Sequence, residues 1–214
     1  MVLNEIEGVR YELLTKDTLN ETAVMTAEAF ACYDPVITSL GIPSSDFAEF
    51  VRLLGPREEE ELTVIATDLE SGQIIGAMIT DDFAINPAAE IKQLGEKFEP
   101  VWALLDELDA QYEQRRILPT GKYLHFFLLA VNHQYKGKHV AQNLVQVCLE
   151  NGAKKNYKVG IVEATSLVSQ HIFRKFGFVD RFEVPYQIFA YQGRRVFESI
   201  KGDQGIILMD KALV

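Results

Sequence analysis

The run Asn132-His-Gln-Tyr-Lys-Gly-Lys-His-Val-Ala-Gln-Asn-Leu joins an apolar segment ending at Val131 to a helical pattern, and its residue types suit an anion. The first N–H groups of a helix have no internal partner and sit at the positive end of its dipole, so a phosphate placed there meets several donors at once. Gly137 and Ala141 allow close approach of the backbone. Between His133 and Lys158 five lysines, at 136, 138, 154, 155 and 158, stand against the single acid Glu150, which concentrates cations in one place. The same pattern fits an ordinary strand-to-helix turn beside a solvated lysine face, and spacing alone leaves both readings open. Other reactive residue types are scattered. His125, His133, His139 and His171 are too widely spread for a metal set, and His125, on an apolar strand, reads as a hydrogen-bonded structural residue or a proton shuttle. Cys32 and Cys148 lack CxxC spacing and sit among apolar residues, where cysteine behaves as a small hydrophobe.

The elements that position these residues follow from periodicity. Val9 to Leu14 alternates as a first strand, and Asp17 opens a helix through Ala23, Ala27 and Phe30 that ends at Cys32-Tyr-Asp-Pro, where Pro35 pushes Asp34 into a turn or extended geometry. A short helix over Ser45 to Leu54, an acidic run from Arg57, a strand from Leu62 and its partner Ile74 to Thr80 around Ser71-Gly-Gln come next. Residues 82–120 read as a helical insert, with Val101, Leu105, Leu108 and Tyr112 on one face. Tyr123 to Val131 is the most apolar strand, expected at the sheet centre and buried on both faces. A helix from Gly137 to Asn151, with Gly152 placed to terminate it, then strands at Val159, Gly177 and Gly205 and a helix from Thr165 to Phe176 complete one α/β domain over 1–214.

Composition excludes whole classes. With 21 Lys+Arg against 31 Asp+Glu the chain carries a net charge of −10, the opposite of a phosphate-tracking nucleic-acid binder. The longest apolar run, Phe126 to Val131, is far below the roughly 20 residues of a membrane span. The N-terminus lacks the features of a secretory signal, so a cytoplasmic location is expected.

Tyr135-Lys-Gly-Lys-His-Val-Ala, upstream of Ser169-Gln-His-Ile-Phe-Arg-Lys-Phe-Gly-Phe, resembles the GNAT superfamily of acetyl-coenzyme A-dependent N-acetyltransferases. The family motif has Arg or Gln, two residues, Gly, one residue, then Gly or Ala; here Lys136 and His139 depart from it and Ala141 agrees. The stretch from Ala164 to Phe178, with Glu183-Val-Pro-Tyr, Arg195-Val-Phe, Gly205-Ile-Ile-Leu-Met and the helical insert, is similar to the arylalkylamine (dopamine-type) branch.

The resemblance implies a single-domain GNAT-like fold, a central mixed, mostly antiparallel sheet flanked by helices. It implies acetyl-CoA as cosubstrate, with no metal, held by Leu129, Ala130 and Val131 along the central strand, by Lys136, Gly137, Lys138, His139, Val140 and Ala141 at the turn, and by Ser169 and Phe173. Where many relatives carry a Tyr that protonates the leaving thiolate, this chain has Phe173. The family's Glu-Pro base matches Asp34-Pro35, and its two serines four residues apart match Thr165 and Ser169 on one helical face. Tyr33, beside Asp34, is placed to contact an acceptor ring, with Trp102 a second aromatic for that pocket. The implied function is acetyl transfer to the primary amine of a small molecule, arylalkylamines first, with Asp34 as base in a ternary complex. A catalytically weak acyl-CoA-binding protein, or an enzyme for a polyamine, an aminoglycoside or a protein N-terminus, stands as the alternative. The expected partners are coenzyme A and the amine alone, with no nucleic acid or membrane, in a monomer or homodimer.

Overall fold

The structure is a computed structural model that describes residues 1–54, 60–85, 94–113 and 119–213. It opens on a hairpin of β1 (Val2–Ile6) and β2 (Val9–Leu13) around Glu7-Gly8, both at positive φ (51° and 79°). That hand of two-residue turn matches the twist of the strands it joins. Alternation identified β2 alone, because a glutamate stands where Asn or Asp would have signalled the turn.

Helix α1 (Lys16–Tyr33) starts at a capping box between Thr15 and Thr18 and stops at Asp34, whose φ of −77° and ψ of 124° are extended, as a residue before proline requires. Pro35 then occupies the first position of α2 (Pro35–Ser39), a helix too short for periodicity to reveal. After α3 (Ser44–Leu54) come β3 (Val64–Asp68) and β4 (Ile74–Asp82). Within the expected insert a 3-10 turn at Glu96–Phe98 leads into α4 (Glu99–Glu113), which buries Leu104, Leu108 and Tyr112. Its stretches 86–93 and 114–118, and residues 57–59 of the acidic run, lie outside the described residues. The chain continues through β5 (Tyr123–Val131), α5 (Val140–Lys154), β6 (Val159–Ala164), α6 (Leu167–Lys175), β7 (Val179–Pro185) and β8 (Gly205–Ala212).

Among the described residues the eight strands form one mixed sheet in the order β1-β2-β3-β4-β5-β6-β8-β7, antiparallel throughout except between β5 and β6. Helices α1 to α4 cover one face and α5 and α6 the other, so β4, between α1 and α5, is buried along its whole length. Phe126, Phe173 and Phe178 meet edge to face at 5.0–5.7 Å and tie β5 to α6, a geometry worth about 0.5–1.5 kcal/mol per pair beyond area burial.

Two departures from expectation have clear causes. Gly152 does not end α5, which runs on to Lys154; it is a contact glycine, since a Cβ there would lie 2.4 Å from Leu124 Cδ2. The middle strand β5 is not buried on both faces either. Its residues alternate between buried and half-buried, and from Phe126 to Val131 they line a cavity. No described helix is long and apolar enough to cross a membrane.

Candidate active site

The cavity arises from the way β5 and β6 part. Tyr123, Leu124 and His125 pair with Val159, Gly160 and Ile161, and there the parallel ladder stops. Beyond His125 the β6-facing edge of β5 has no strand partner among the described residues. At the same point β5 carries a bulge: Ile79 pairs with Leu128 and Thr80 with Phe126, leaving Phe127 as the extra residue. The strands splay around a cavity of about 760 Å³, within the range of small-molecule sites.

One half of the cavity is built from consecutive sequence. Leu129, Ala130 and Val131 line it, followed by Lys136, Gly137, His139, Val140 and Ala141 of the turn into α5, with Ser169 and Phe173 of α6 opposite. Gly137 has φ +83° and His139, the residue before α5, has φ +58°. Glycine adopts that left-handed geometry at least cost, and the His139 side chain that stands there is exposed. Lys138 is not brought into this cavity. Its Nζ lies 4.6 Å from the centroid of the Tyr135 ring, and it lines a separate recess with Tyr11 and Asn143. The five lysines are also not one patch. Lys154 and Lys155 lie at the far end of α5, about 20 Å from its start at 1.5 Å per residue, and Lys155 is paired with Glu61 at 2.9 Å.

The other half draws on distant segments. Aromatic walls come from Phe30, Phe47, Phe50, Phe98, Trp102 and Phe127, with Phe50 edge-on to Trp102 at 5.7 Å. Tyr33 stands exposed at the mouth, its ring 6.3 Å from that of His133. Asp34 is buried. Its Oδ1 accepts from the N–H groups of Val36 and Ile37 at 3.0 and 2.9 Å, capping α2, and its Oδ2 accepts from Thr165 Oγ1 at 2.7 Å. Burial pushes its carboxyl above the usual range, opposed by those three donors and reinforced by the charge of Asp203. Tyr186, fully buried, donates to the Thr165 carbonyl at 2.6 Å and fixes the segment that carries the hydroxyl.

Thr165 and Ser169 line the same cavity but do not share a helical face. Thr165 precedes Ser166, the N-cap of α6, and Ser169 Oγ donates to the Ser166 carbonyl at 2.9 Å within a capping box. The Leu167 N–H next to them donates to Asp203 Oδ1 at 2.7 Å. His125 proves to be bridged by two acids, Asp81 at 2.9 Å and Glu163 at 2.7 Å. Cys148 is buried and inert, its thiol pushed up by burial, whereas Cys32 is exposed rather than among apolar neighbours.

Sequence reasoning passed over Glu163, Asp203, Tyr186 and most of the aromatic wall. Glu163 did leave a signal, as the one charge inside the strand Val159-Gly-Ile-Val-Glu-Ala. Tyr186 appeared only as the last residue of Glu183-Val-Pro-Tyr, without a role, and Asp203 left no signal, because their roles depend on which loop folds over which helix.

Residues 111–187 match the family model described as the acetyltransferase (GNAT) domain. Three solved structures share the fold over nearly the whole chain. The C-terminal condensation domain of Ebony, in complex with beta-alanyl-dopamine, superposes with a TM-score of 0.87 at 15% identity, covering 95% of this chain and 98% of that one. Arylalkylamine N-acetyltransferase 2 from Aedes aegypti gives 0.83 at 16% identity, over 97% and 100%. The polyamine N-acetyltransferase of Drosophila melanogaster, which forms N-acetylagmatine, gives 0.79 at 17% identity, over 96% and 100%.

Proposed function

We propose, from the GNAT fold that this chain shares with arylalkylamine N-acetyltransferases, that it moves an acetyl group from acetyl-CoA to the primary amine of a small molecule, an arylalkylamine by preference. The observation that carries the reading is the Asp34–Thr165 hydrogen bond, which sets a buried carboxylate and a hydroxyl where the two halves of the cavity meet.

The residues present suit the cosubstrate. The turn from Lys136 to Ala141 offers backbone donors at a helix start for the pyrophosphate, and Leu129, Val131 and Phe173 give apolar walls for the pantetheine arm. Acetyl-CoA supplies the acyl group as an activated thioester. The unpaired edge of β5 near Leu129 to Val131 supplies backbone donors for the negative charge that develops on the carbonyl oxygen.

An alkylamine is largely protonated at neutral pH, as lysine is with its reference pKa of about 10.4, and cannot attack in that form. Thr165 donates its hydrogen to Asp34, so its oxygen is left to accept from the amine N–H. As the amine proton passes to Thr165, the hydroxyl hydrogen passes to Asp34, and the short side chain of aspartate reaches the nitrogen by this relay. General-base assistance of this kind contributes typically ~10²–10⁴ in rate. Phe173 has no hydroxyl to protonate the leaving thiolate, and Ser169, on the cofactor side of the same cavity, is the nearest candidate for that role.

A second reading is favoured by one observation: Asp34, Glu163 and Asp203 all line the cavity, which suits a di- or polyamine acceptor. Thiol release from acetyl-CoA with tyramine, tryptamine, spermidine, a peptide amine and tyrosine separates the readings. Tyramine and tryptamine are expected to turn over best, and tyrosine to fall by about a hundredfold or more, because its carboxylate would face like charges. Turnover of none of these, with coenzyme A bound at micromolar affinity, overturns the proposal.

A further inference from the structure

His125 stands on β5 at the last point where β5 and β6 are paired. Asp81 lies opposite it on β4, and Glu163 lies two residues beyond its β6 partner Ile161. The ring nitrogens lie 2.9 Å from Asp81 Oδ1 and 2.7 Å from Glu163 Oε2, and the carboxylate side chains are 9% and 4% exposed. Burial alone would push the imidazole down, but the two carboxylates more than reverse this and hold it well above its ordinary value. An imidazolium between two carboxylates leaves one negative charge in the interior.

Such a cluster is not explained by stability, since a buried ion pair can often be replaced by apolar residues without loss. Its charge is also not fully used within the protein. Glu163 Oε2 is taken by His125, while Oε1 is sealed from water and has no hydrogen-bond partner, an arrangement that carries a desolvation penalty. Glu163 lines the cavity on the side of Asp34, and one residue separates it from Thr165, a spacing of about 6.6 Å along an extended chain. Phe127 and Phe83 flank the His125 ring at 5.0 and 5.2 Å and keep the cluster dry. Lys and Arg are absent from the described residues lining this aromatic half.

We propose that Glu163 is the charge anchor of the acceptor: the reacting ammonium group docks by donating to Glu163 Oε1, while His125, itself held by Asp81, engages the other carboxylate oxygen. A small rotation about the soft terminal torsion of the glutamate turns this oxygen to the chamber. The proton leaves the nitrogen through Thr165 to Asp34, and Glu163 takes none. The proposal rests on the amine-acetyltransferase reading and adds the residue that selects a cation without a neighbouring carboxylate.

The test uses the full chain and a protonated tertiary amine, N,N-dimethylphenethylamine, which keeps one N–H but cannot be acetylated, beside phenethyl alcohol, its neutral counterpart. Calorimetry is expected to show the amine binding about tenfold or more tightly than the alcohol, and that preference lost in Glu163→Gln, in line with a hydrogen bond to a charged group. In turnover, Glu163→Gln should raise KM for tyramine and for a diamine alike, with kcat and coenzyme A affinity unchanged. Asp81→Asn, which bears on the acceptor through His125, should raise KM by less, and Glu163→Asp should recover part of the loss. Equal binding of the two probes by the unaltered chain overturns the proposal even if the variant does not fold. So does a KM effect confined to the diamine, or one that comes with weakened coenzyme A binding. Absence of turnover with every amine overturns the functional reading instead, and the calorimetric comparison still decides this one.

Discussion

The two halves of the cavity are made in opposite ways. The half proposed for the cofactor is built mainly from one stretch, Leu129 to Ala141, against Ser169 and Phe173 of α6, and offers backbone N–H groups at a helix start and Lys136; the other is the half proposed for the acceptor. The acceptor half joins Asp34 to Thr165 across 131 positions and His125 to Asp81 and Glu163 across 44 and 38, and it works through carboxylates against aromatic walls. Backbone donors bind any pyrophosphate, so the first half can be shared across a superfamily. Side chains set on separate elements can be changed singly, so under the proposed function the second half is where acceptor choice would reside. The net charge of −10 hides this division: Lys136 lines the first half, and Asp34, Glu163 and Asp203 line the cavity without a lysine or arginine beside them among the described residues of the aromatic half.

If the halves are independent, Asp34→Asn should show the largest effect, a fall of about 10²–10⁴ in kcat with coenzyme A affinity unchanged. Asparagine still caps α2, so the melting temperature should hold or rise. Because burial raises Asp34, the folded chain keeps a proton there that the unfolded chain has lost between the ordinary aspartate value and the raised one. Stability therefore falls as pH rises through that interval, and the Asn variant should lose this slope in melts across pH. Turnover of the unaltered enzyme should fall on the acid side as Asp34 protonates. A change in coenzyme A affinity would mean that the halves are coupled.

Next in size, Lys136→Glu should weaken coenzyme A binding by about tenfold at low salt and by much less at high salt, with KM for the amine unaltered. Lys138→Glu should do less, because Lys138 faces the recess beside Tyr135. The smallest effect is expected from His139→Gly. Relief of the left-handed backbone should add about 0.5–1 kcal/mol, or about 1–4 °C in melting temperature, without change in coenzyme A affinity. A loss of stability would show that the His139 side chain makes a contact that matters.

The same contrast explains what could be read in advance. Element types and the cofactor half were legible because periodicity, a helix start and a glycine-bearing turn are local signals. Gly152 misled because a glycine after an apolar pattern reads as a stop, whereas its reason is Leu124 on the strand beneath. The lysines misled because proximity in sequence is not proximity in space once a fifteen-residue helix separates them. Asp34 and Thr165 came from resemblance and were found joined. Asp203 and the role of Tyr186 were out of reach, since nothing local marks what a residue does when its partner lies on another element.

The bulge at Phe127 has a consequence for how this chain tolerates change. Leu124 and Phe126 point toward α5 and α6, but after Phe127 it is Leu129 and Val131 that pack on that side, while Leu128 and Ala130 turn to α1. A saturation mutagenesis map of β5 should therefore find its least tolerant residues changing faces midway along the strand, Leu124 and Phe126 on the α5–α6 side and Leu128 and Ala130 on the α1 side, and a deletion of one residue there would undo the change while disturbing the parting of β5 from β6.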